Sequence, residues 1–151
     1  MCKKIFSVLL LLVGVLSFSV AFADYPKYLN GDRNYILGTA HMGLAQYLDR
    51  SSLEIVKAEH PFYLIYIEYL SVPDADRGNS TPTSRGAHGF FYDFDKQTIH
   101  IYSDYLKNWS FCNPEGSYAE GYESAYMGDS VFFMAYGRHF YLNSKYWGRE
   151  P

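Results

Sequence analysis

The sequence predicts an α+β domain: an antiparallel β-sheet meander of about five or six strands, followed by a C-terminal α-helix. Aromatic residues make up 19% of the chain, including 16 Tyr and 11 Phe, and such side chains favour strands. Residues 53–58 and the two runs around the turn at residues 95–98 alternate hydrophobic and polar side chains with the two-residue period of a strand, and residues 62–72 are dense in β-branched and aromatic residues. After residue 127 the hydrophobic residues change to helical spacing.

Four strands are predicted before the first long polar segment. They cover residues 34–42, 44–48, 53–58 and Phe62–Val72. Glu59-His60-Pro61 interrupts the third strand, because proline has no backbone N–H to donate to a strand ladder. The fourth is largely apolar on both faces, so we expect it in the centre of the sheet.

The segment FFYDFDKQTIHIYSD, residues 90–104, predicts a β-hairpin. Alternating side chains flank a turn at residues 95–98, in which Asp95 is a typical turn residue. The segment also places oxygen-bearing side chains at positions 1, 3, 5 and 12 of a calcium-binding EF-hand loop: Asp93, Asp95, Gln97 and Asp104. Thr98, however, stands where that loop needs Gly, and no helix is predicted on either side. The hairpin is therefore the favoured interpretation.

Three further segments complete the predicted order. Residues 73–87 are polar, with two Pro and two Gly, and predict a loop of about 15 residues that is either structural or functional. Residues 107–123 are irregular, with a turn at residues 113–116. Residues 127–142 predict the helix, which Asp129 or Ser130 would cap.

The first 23 residues have the three parts of a bacterial secretory signal peptide. Lys3 and Lys4 form a basic start, residues 5–20 are apolar, and Ala21-Phe22-Ala23 is a small-x-small cleavage site. The apolar stretch is shorter than the ~20 residues of a membrane-spanning helix. We therefore predict cleavage after Ala23 and a single exported domain, residues 24–151, without a transmembrane segment. Its location would be the periplasm, the cell surface or the medium.

Charge and cysteine content restrict the partners. Cleavage removes two of the 13 Lys and Arg residues, which stand against 16 Asp and Glu, so the net charge changes from −3 to about −5. No basic stripe stands out, and nucleic acid is not a predicted partner. Cys112 has no second cysteine for an internal disulfide after cleavage. It is either a buried small hydrophobic residue or the link of a disulfide-bonded homodimer.

No motif assigns catalysis, a metal or a cofactor. None of the five His has the spacing that places zinc ligands on one helical face. The sequence contains no nucleophile elbow, phosphate loop or dinucleotide fingerprint. Glu68 is the first candidate acid for a hydrolase, because it interrupts an apolar strand face. Its alternative role is that of a carboxylate at a sheet edge, or one that extends past the apolar surface to reach water.

Two stretches carry a resemblance to a known family. The segment YLDRSSL, residues 47–53, is followed by a strand and then by FFYDFDKQTIHIY, and this order resembles the surface-adhesin protein E-like domain family. The resemblance implies a small exported bacterial domain with an antiparallel sheet and a packed helix, and binding of extracellular-matrix proteins. The adhesin is a lipoprotein, whereas this chain has no lipobox cysteine, and no binding residue carries over.

The expected function is that of an exported, non-catalytic binding or adhesion domain of the bacterial envelope or surface. Its partner would be an extracellular-matrix protein or a glycan. Trp109, Tyr118 and Tyr122 are the candidate partner-binding residues, because they lie in irregular sequence and exposed aromatics anchor interfaces. They would otherwise cover the sheet. Two alternatives remain open: a periplasmic hydrolase of envelope polymers, and an envelope structural or inhibitor protein that acts as a dimer.

Overall fold

The computed structural model describes residues 25–103 and 107–151, in which one antiparallel sheet of seven strands carries one α-helix. The strands are β1 Tyr35–His41, β2 Leu44–Asp49, β3 Glu54–Glu59, β4 Phe62–Val72, β5 Ser84–Asp93, β6 Thr98–Ser103 and β7 Asn108–Cys112, and the helix is α1 Tyr122–Tyr136. The predicted α+β class is confirmed. The signal peptide and its cleavage site after Ala23 lie outside the described residues, and so does Asp104.

The strand order is β1-β2-β4-β5-β6-β7, and every neighbouring pair is antiparallel. The strands β2 and β3 both pair with β4, one after the other along the same side. Between them the residues Arg50–Ser52 form a 3₁₀ turn, in which the Asp49 side chain accepts hydrogen bonds from Ser51 N at 3.0 Å and Ser51 Oγ at 2.6 Å. The YLDRSSL segment thus comprises the end of β2 and the turn that leads to β3, and both strands pair with β4.

The main core lies between one face of the sheet and α1. Ile65 and Phe90 on the sheet and Val131 and Phe132 on the helix are fully buried there. A Cβ atom on Gly128 of α1 would lie 2.9 Å from Ile99 and 3.1 Å from Phe90. This glycine therefore allows the helix to approach the sheet closely.

A smaller apolar cluster covers one end of the opposite face. Leu37, Tyr47 and Val72 on the sheet pack there against Leu29 from the N-terminal segment and Ala75 from the β4–β5 connection. Beyond this end, α1 is not available to cover that face, because it packs on the other side. No helix among the described residues is long and apolar enough to cross a membrane.

The helix begins and ends earlier than predicted, because it covers Tyr122–Tyr136 instead of residues 127–142 with a cap at Asp129 or Ser130. It follows Gly121 and ends before Gly137, and both glycines have left-handed φ angles, +87° and +66°. Such angles are available to glycine at low cost, and they set the helix ends. Asp129 is therefore a buried helix-interior residue and not a cap.

Asp129 connects the helix to the C-terminal segment. Its Oδ1 accepts hydrogen bonds from Phe140 N at 2.8 Å and Tyr141 N at 3.1 Å. Its Oδ2 accepts one from Gly148 N at 2.7 Å and lies 2.6 Å from His139 Nδ1. A fully buried carboxylate is costly unless it is hydrogen-bonded. Here its oxygens have four partners, which are three backbone N–H groups and one imidazole nitrogen. One side chain thus holds the chain from residue 139 to residue 148 against α1.

Two other boundaries differ from the prediction. Ser84–Ala87, placed in a polar loop over residues 73–87, belong to β5 and pair with β4, for example Ser84 with Ser71. Asn108–Cys112, predicted to be irregular, form β7 and pair with β6. The sheet therefore has seven strands instead of five or six.

The hairpin at residues 90–103 is confirmed, because β5 pairs with β6 from Gly89–Tyr102 to Asp93–Thr98. Its turn uses a different carboxylate from the one predicted. Asp93, not Asp95, accepts the backbone N–H of Lys96, at 3.2 Å, and Lys96 Nζ lies 2.9 Å from its second oxygen. The side-chain hydrogen bond of Lys96 lowers the pKa of Asp93 from its ordinary value.

Candidate functional site

The face of the sheet that points away from α1 is rich in aromatic rings over β4 to β7. We call this surface the open face, and it consists of Phe62, Tyr66, Phe91, His100, Tyr102, Trp109 and Phe111. These residues alternate along their strands with core residues such as Ile65, Phe90 and Cys112, which face the helix. Because successive side chains of a strand point to opposite faces, the open-face rings lie on the side without a helix.

The rings of the open face touch one another across four strands. The Phe62 and Phe91 rings stack with centroids 5.8 Å apart, and Phe91 meets Trp109 edge to face at 6.3 Å. Trp109 also contacts Tyr102, with centroids 5.4 Å apart and the planes inclined by 60°. These contacts form a continuous aromatic surface.

Three of these rings are substantially exposed to solvent. The exposed fraction is 49% for Phe111, 40% for Trp109 and 37% for Phe62. Single exposed hydrophobic residues are common, but a contiguous exposed apolar patch indicates an interaction site. The open face is such a patch.

Gly89 of β5 lies beneath the rings of the open face. A Cβ atom at this position would be 2.8 Å from the Tyr66 ring and 3.3 Å from Trp109. Both rings therefore occupy space that a side chain at this position would fill. The glycine allows them to pack low on the sheet.

A charged border lies at one end of the open face. Arg85 Nε is 3.4 Å from Glu68, and Arg85 Nη2 is 3.6 Å from Asp49. Burial alone would raise the pKa of Asp49, but hydrogen bonds from Ser51 and Asn34 and the charge of Arg85 hold it below its ordinary value. Glu68, the first candidate acid for a hydrolase, is thus a partly exposed member of an ion pair.

His100 lies within the aromatic surface. Its ring is in contact with Phe91 and Phe111, at centroid distances of 6.3 Å and 5.6 Å. Burial lowers the pKa of His100 from its ordinary value, although the charge of Asp93 opposes this. In the part of the chain that the structure describes, its Nδ1 atom is buried without a hydrogen-bond partner. The open face therefore favours the neutral imidazole.

The three aromatic residues predicted to bind a partner lie in different places. Trp109 is on the open face, in the strand β7, which was predicted to be irregular. Tyr118 lies in a 3₁₀ turn before α1 and stacks on His41, with centroids 3.8 Å apart. Tyr122 is the first residue of α1 and lines a cavity beside the C-terminal segment. Only Trp109 belongs to the exposed aromatic patch.

The neighbours of Trp109 on the open face were not identified from sequence as a binding surface. Phe91 and Tyr102 follow the same strand pattern as the core aromatics, so the pattern alone does not separate them. The pairing of β6 with β7 reveals the surface, because it places Trp109 opposite Tyr102 and Phe111 opposite His100.

The cysteine and the potential metal ligands have defined environments. Cys112 is fully buried in the main core, and burial raises the pKa of its thiol to about 12. Its environment is that of a buried hydrophobic residue and not of an exposed cross-linking site. Within residues 25–103 and 107–151, no group of three His, Cys, Asp or Glu residues is arranged to hold a metal ion.

No protein-family model matches this sequence, and no curated protein or solved structure matches it either. The resemblance to the surface-adhesin protein E-like domain family therefore stays a prediction.

Proposed function

We propose that this protein is an exported, non-catalytic binding domain of the bacterial envelope or surface, and that its open face contacts an extracellular protein. The observation that carries the proposal is the continuous aromatic surface that includes Trp109, Phe111 and Phe62, each more than a third exposed. Large aromatic side chains dominate the energetics of protein interfaces. Covering these rings would remove their apolar surface from water.

The ring geometry favours a protein partner over a glycan. A flat sugar chain stacks best on rings that share a plane, as Phe62 and Phe91 nearly do at 20°, but the Phe91 and Trp109 planes are inclined by 68° and the His100 and Phe111 planes by 54°. Inclined rings form ridges and hollows. Such relief fits apolar side chains of another protein, and the nearby Arg85–Glu68 pair supplies a polar rim.

The alternatives have less support. A hydrolase requires a carboxyl group placed for catalysis, whereas the partly exposed side chain of Glu68 is paired with Arg85. A dimer linked through Cys112 would require the thiol to reach the surface, but its residue has no exposed area.

A binding screen tests the proposal. The purified protein would be passed over immobilised extracellular-matrix proteins, glycans and peptidoglycan fragments in a surface plasmon resonance experiment. We expect saturable binding to a matrix protein, weakened at least about tenfold by Trp109→Ala or Phe111→Ala, the loss typical of an interface anchor.

Met42→Ala is the matched control, because Met42 is 90% exposed at the tip of the β1–β2 hairpin, away from the open face. If none of the immobilised molecules binds, or if Met42→Ala weakens binding as much as the open-face variants do, the adhesion proposal is refuted. Binding to glycan alone would assign the open face to a sugar, and binding to peptidoglycan alone would favour the hydrolase.

A further inference from the structure

A second candidate site is a cavity of about 280 Å³ between α1, the strand β1 and the C-terminal segment. Three aromatic residues line it: Tyr122, Tyr126 and Trp147. Glu123 and Arg149 also line it and give it both signs of charge. This cavity is on the helix side of the sheet and is separate from the open face.

The aromatic walls of the cavity are held in place. Tyr122 and Tyr126 are one helical turn apart on α1, and their rings are nearly perpendicular, with centroids 5.9 Å apart and planes at 81°. The Tyr126 hydroxyl donates a hydrogen bond to Lys145 O at 3.2 Å. The two rings thus form a fixed corner.

Trp147 is held by two side-chain contacts. Its ring stacks on His139, with centroids 4.2 Å apart and planes within 5° of parallel, and its Nε1 donates to Tyr141 O at 2.9 Å. The His139 ring is itself positioned by the buried Asp129 carboxylate at 2.6 Å. Because these groups are positioned by the fold, a ligand would not have to order the Trp147 ring.

The two charged residues of the cavity have different neighbours. Arg149 Nη1 lies 3.1 Å from Gly38 O and 3.4 Å from Leu37 O, so the guanidinium is held at the bulge of β1 and keeps other N–H donors for a ligand. Glu123 lines the cavity next to Tyr122, and its side-chain hydrogen bond raises the pKa of the Tyr122 phenol from its ordinary value. A carboxylate therefore lies beside the aromatic corner.

We infer that this cavity binds a quaternary ammonium group that carries an adjacent anion, of the phosphocholine type. The faces of Tyr and Trp rings attract an organic cation, most strongly when the cation is poorly hydrated. Glu123 supplies a compensating negative charge, and the planar fork of Arg149 suits a phosphate or carboxylate. A quaternary ammonium has no N–H donors that the aromatic walls would leave unsatisfied.

Calorimetric titration of the purified protein tests the inference. The probes are phosphocholine, choline and 3,3-dimethylbutan-1-ol, which has the shape of choline without its charge. We expect phosphocholine to bind most tightly and the neutral alcohol at least about tenfold more weakly than choline, as cation–π recognition requires. Equal binding of choline and the alcohol, or no binding of any probe at millimolar concentration, would overturn the inference.

Variants locate the ligand within the cavity. Trp147→Ala should weaken choline at least about tenfold, while Trp147→Phe, which keeps a ring, should weaken it less. Since Trp147→Ala also removes packing from His139, Glu123→Gln provides an independent test. It should weaken choline and leave the alcohol unchanged, and an unchanged choline affinity in both Glu123→Gln and Trp147→Ala would refute the site.

Vesicles distinguish the two sources of the ligand. Binding to phosphatidylcholine vesicles, with phosphatidylglycerol vesicles as the control, would identify a lipid headgroup as the ligand. Binding of free phosphocholine without vesicle binding would identify a small molecule or a phosphocholine-modified polymer. The open-face variant Phe111→Ala should leave both results unchanged, because Phe111 does not line this cavity.

Discussion

Replacement of Asp129 by Ala should destabilise the fold strongly. The substitution removes the acceptor of two buried backbone N–H groups, those of Phe140 and Tyr141. Hydrogen bonds to a charged group contribute about 1.5–3 kcal/mol each, and their loss leaves buried donors unsatisfied. We expect a loss of about 3–5 kcal/mol, which is a large part of the ~5–15 kcal/mol that stabilises a typical domain.

Asp129→Asn separates the two oxygens of the carboxylate. The amide keeps one oxygen for Phe140 N and Tyr141 N but places an NH₂ group toward Gly148 N, where two donors would meet. We therefore expect a smaller loss, about 1–3 kcal/mol. Asp95→Ala is the control: the Asp95 side chain is 67% exposed and lies 3.6 Å from His60, and its loss should change stability by less than about 0.5 kcal/mol.

The assay is urea unfolding followed by tryptophan fluorescence, with the free energy taken from the midpoint and slope. Amide hydrogen exchange at Phe140 and Tyr141 gives a local readout, and both amides should exchange faster in Asp129→Ala. A loss below about 1 kcal/mol, with unchanged exchange at these amides, would refute the structural role assigned to the carboxylate.

Three further predictions concern the sheet. Gly89→Ala should displace the Tyr66 and Trp109 rings and lower the free energy of unfolding by about 1–3 kcal/mol through overpacking, which urea unfolding measures. It should also weaken binding of a partner to the open face in the binding screen. Cys112 should react with a thiol reagent only after unfolding, because it is buried and its thiol has a pKa of about 12; rapid reaction of the native protein would contradict this. His100 has a folded pKa below its unfolded value, so the unfolded state binds the proton more readily. The free energy of unfolding should therefore decrease as the pH drops below about 6.5. Urea unfolding at pH 7.5 and 5.5 measures this decrease, which should be smaller in a His100→Phe variant.

Local patterns were sufficient for the central part of the sheet. The strand β4 combines β-branched and aromatic residues over 11 positions, and the β5–β6 hairpin alternates on both sides of a polar turn. Both features are properties of neighbouring residues. The predicted strand and hairpin therefore appear close to the expected positions.

The missed elements depend on partners that are distant in sequence. Asn108–Cys112 is only five residues long and carries polar residues, so its sequence alone does not indicate a strand. It forms a strand because it pairs with the edge of β6. The first turns of α1 were missed because the buried Asp129 and Ser130 look like cap residues in sequence. Asp129 is tolerated inside the fold only because residues 139–148 return to satisfy it.

Each of the two candidate sites contains one residue that was predicted from the sequence and one that was not. Trp109 and Tyr122 were predicted as binding residues from their irregular surroundings, but their companions Phe111 and Trp147 were not. Phe111 joins Trp109 through the pairing of β7, and Trp147 approaches Tyr122 through the return of the C-terminal segment.

By itself the sequence determined the α+β class, the central strand and the polar-tipped hairpin, since each follows from periodicity among neighbouring residues. The tertiary structure alone decided which face of the sheet is covered. Both faces of β4 are largely apolar, so alternation cannot distinguish them. The helix covers the side of Ile65 and Phe90 because Gly128 allows it to approach there and Asp129 anchors the segment that follows. That choice leaves the aromatic rings of the other face exposed.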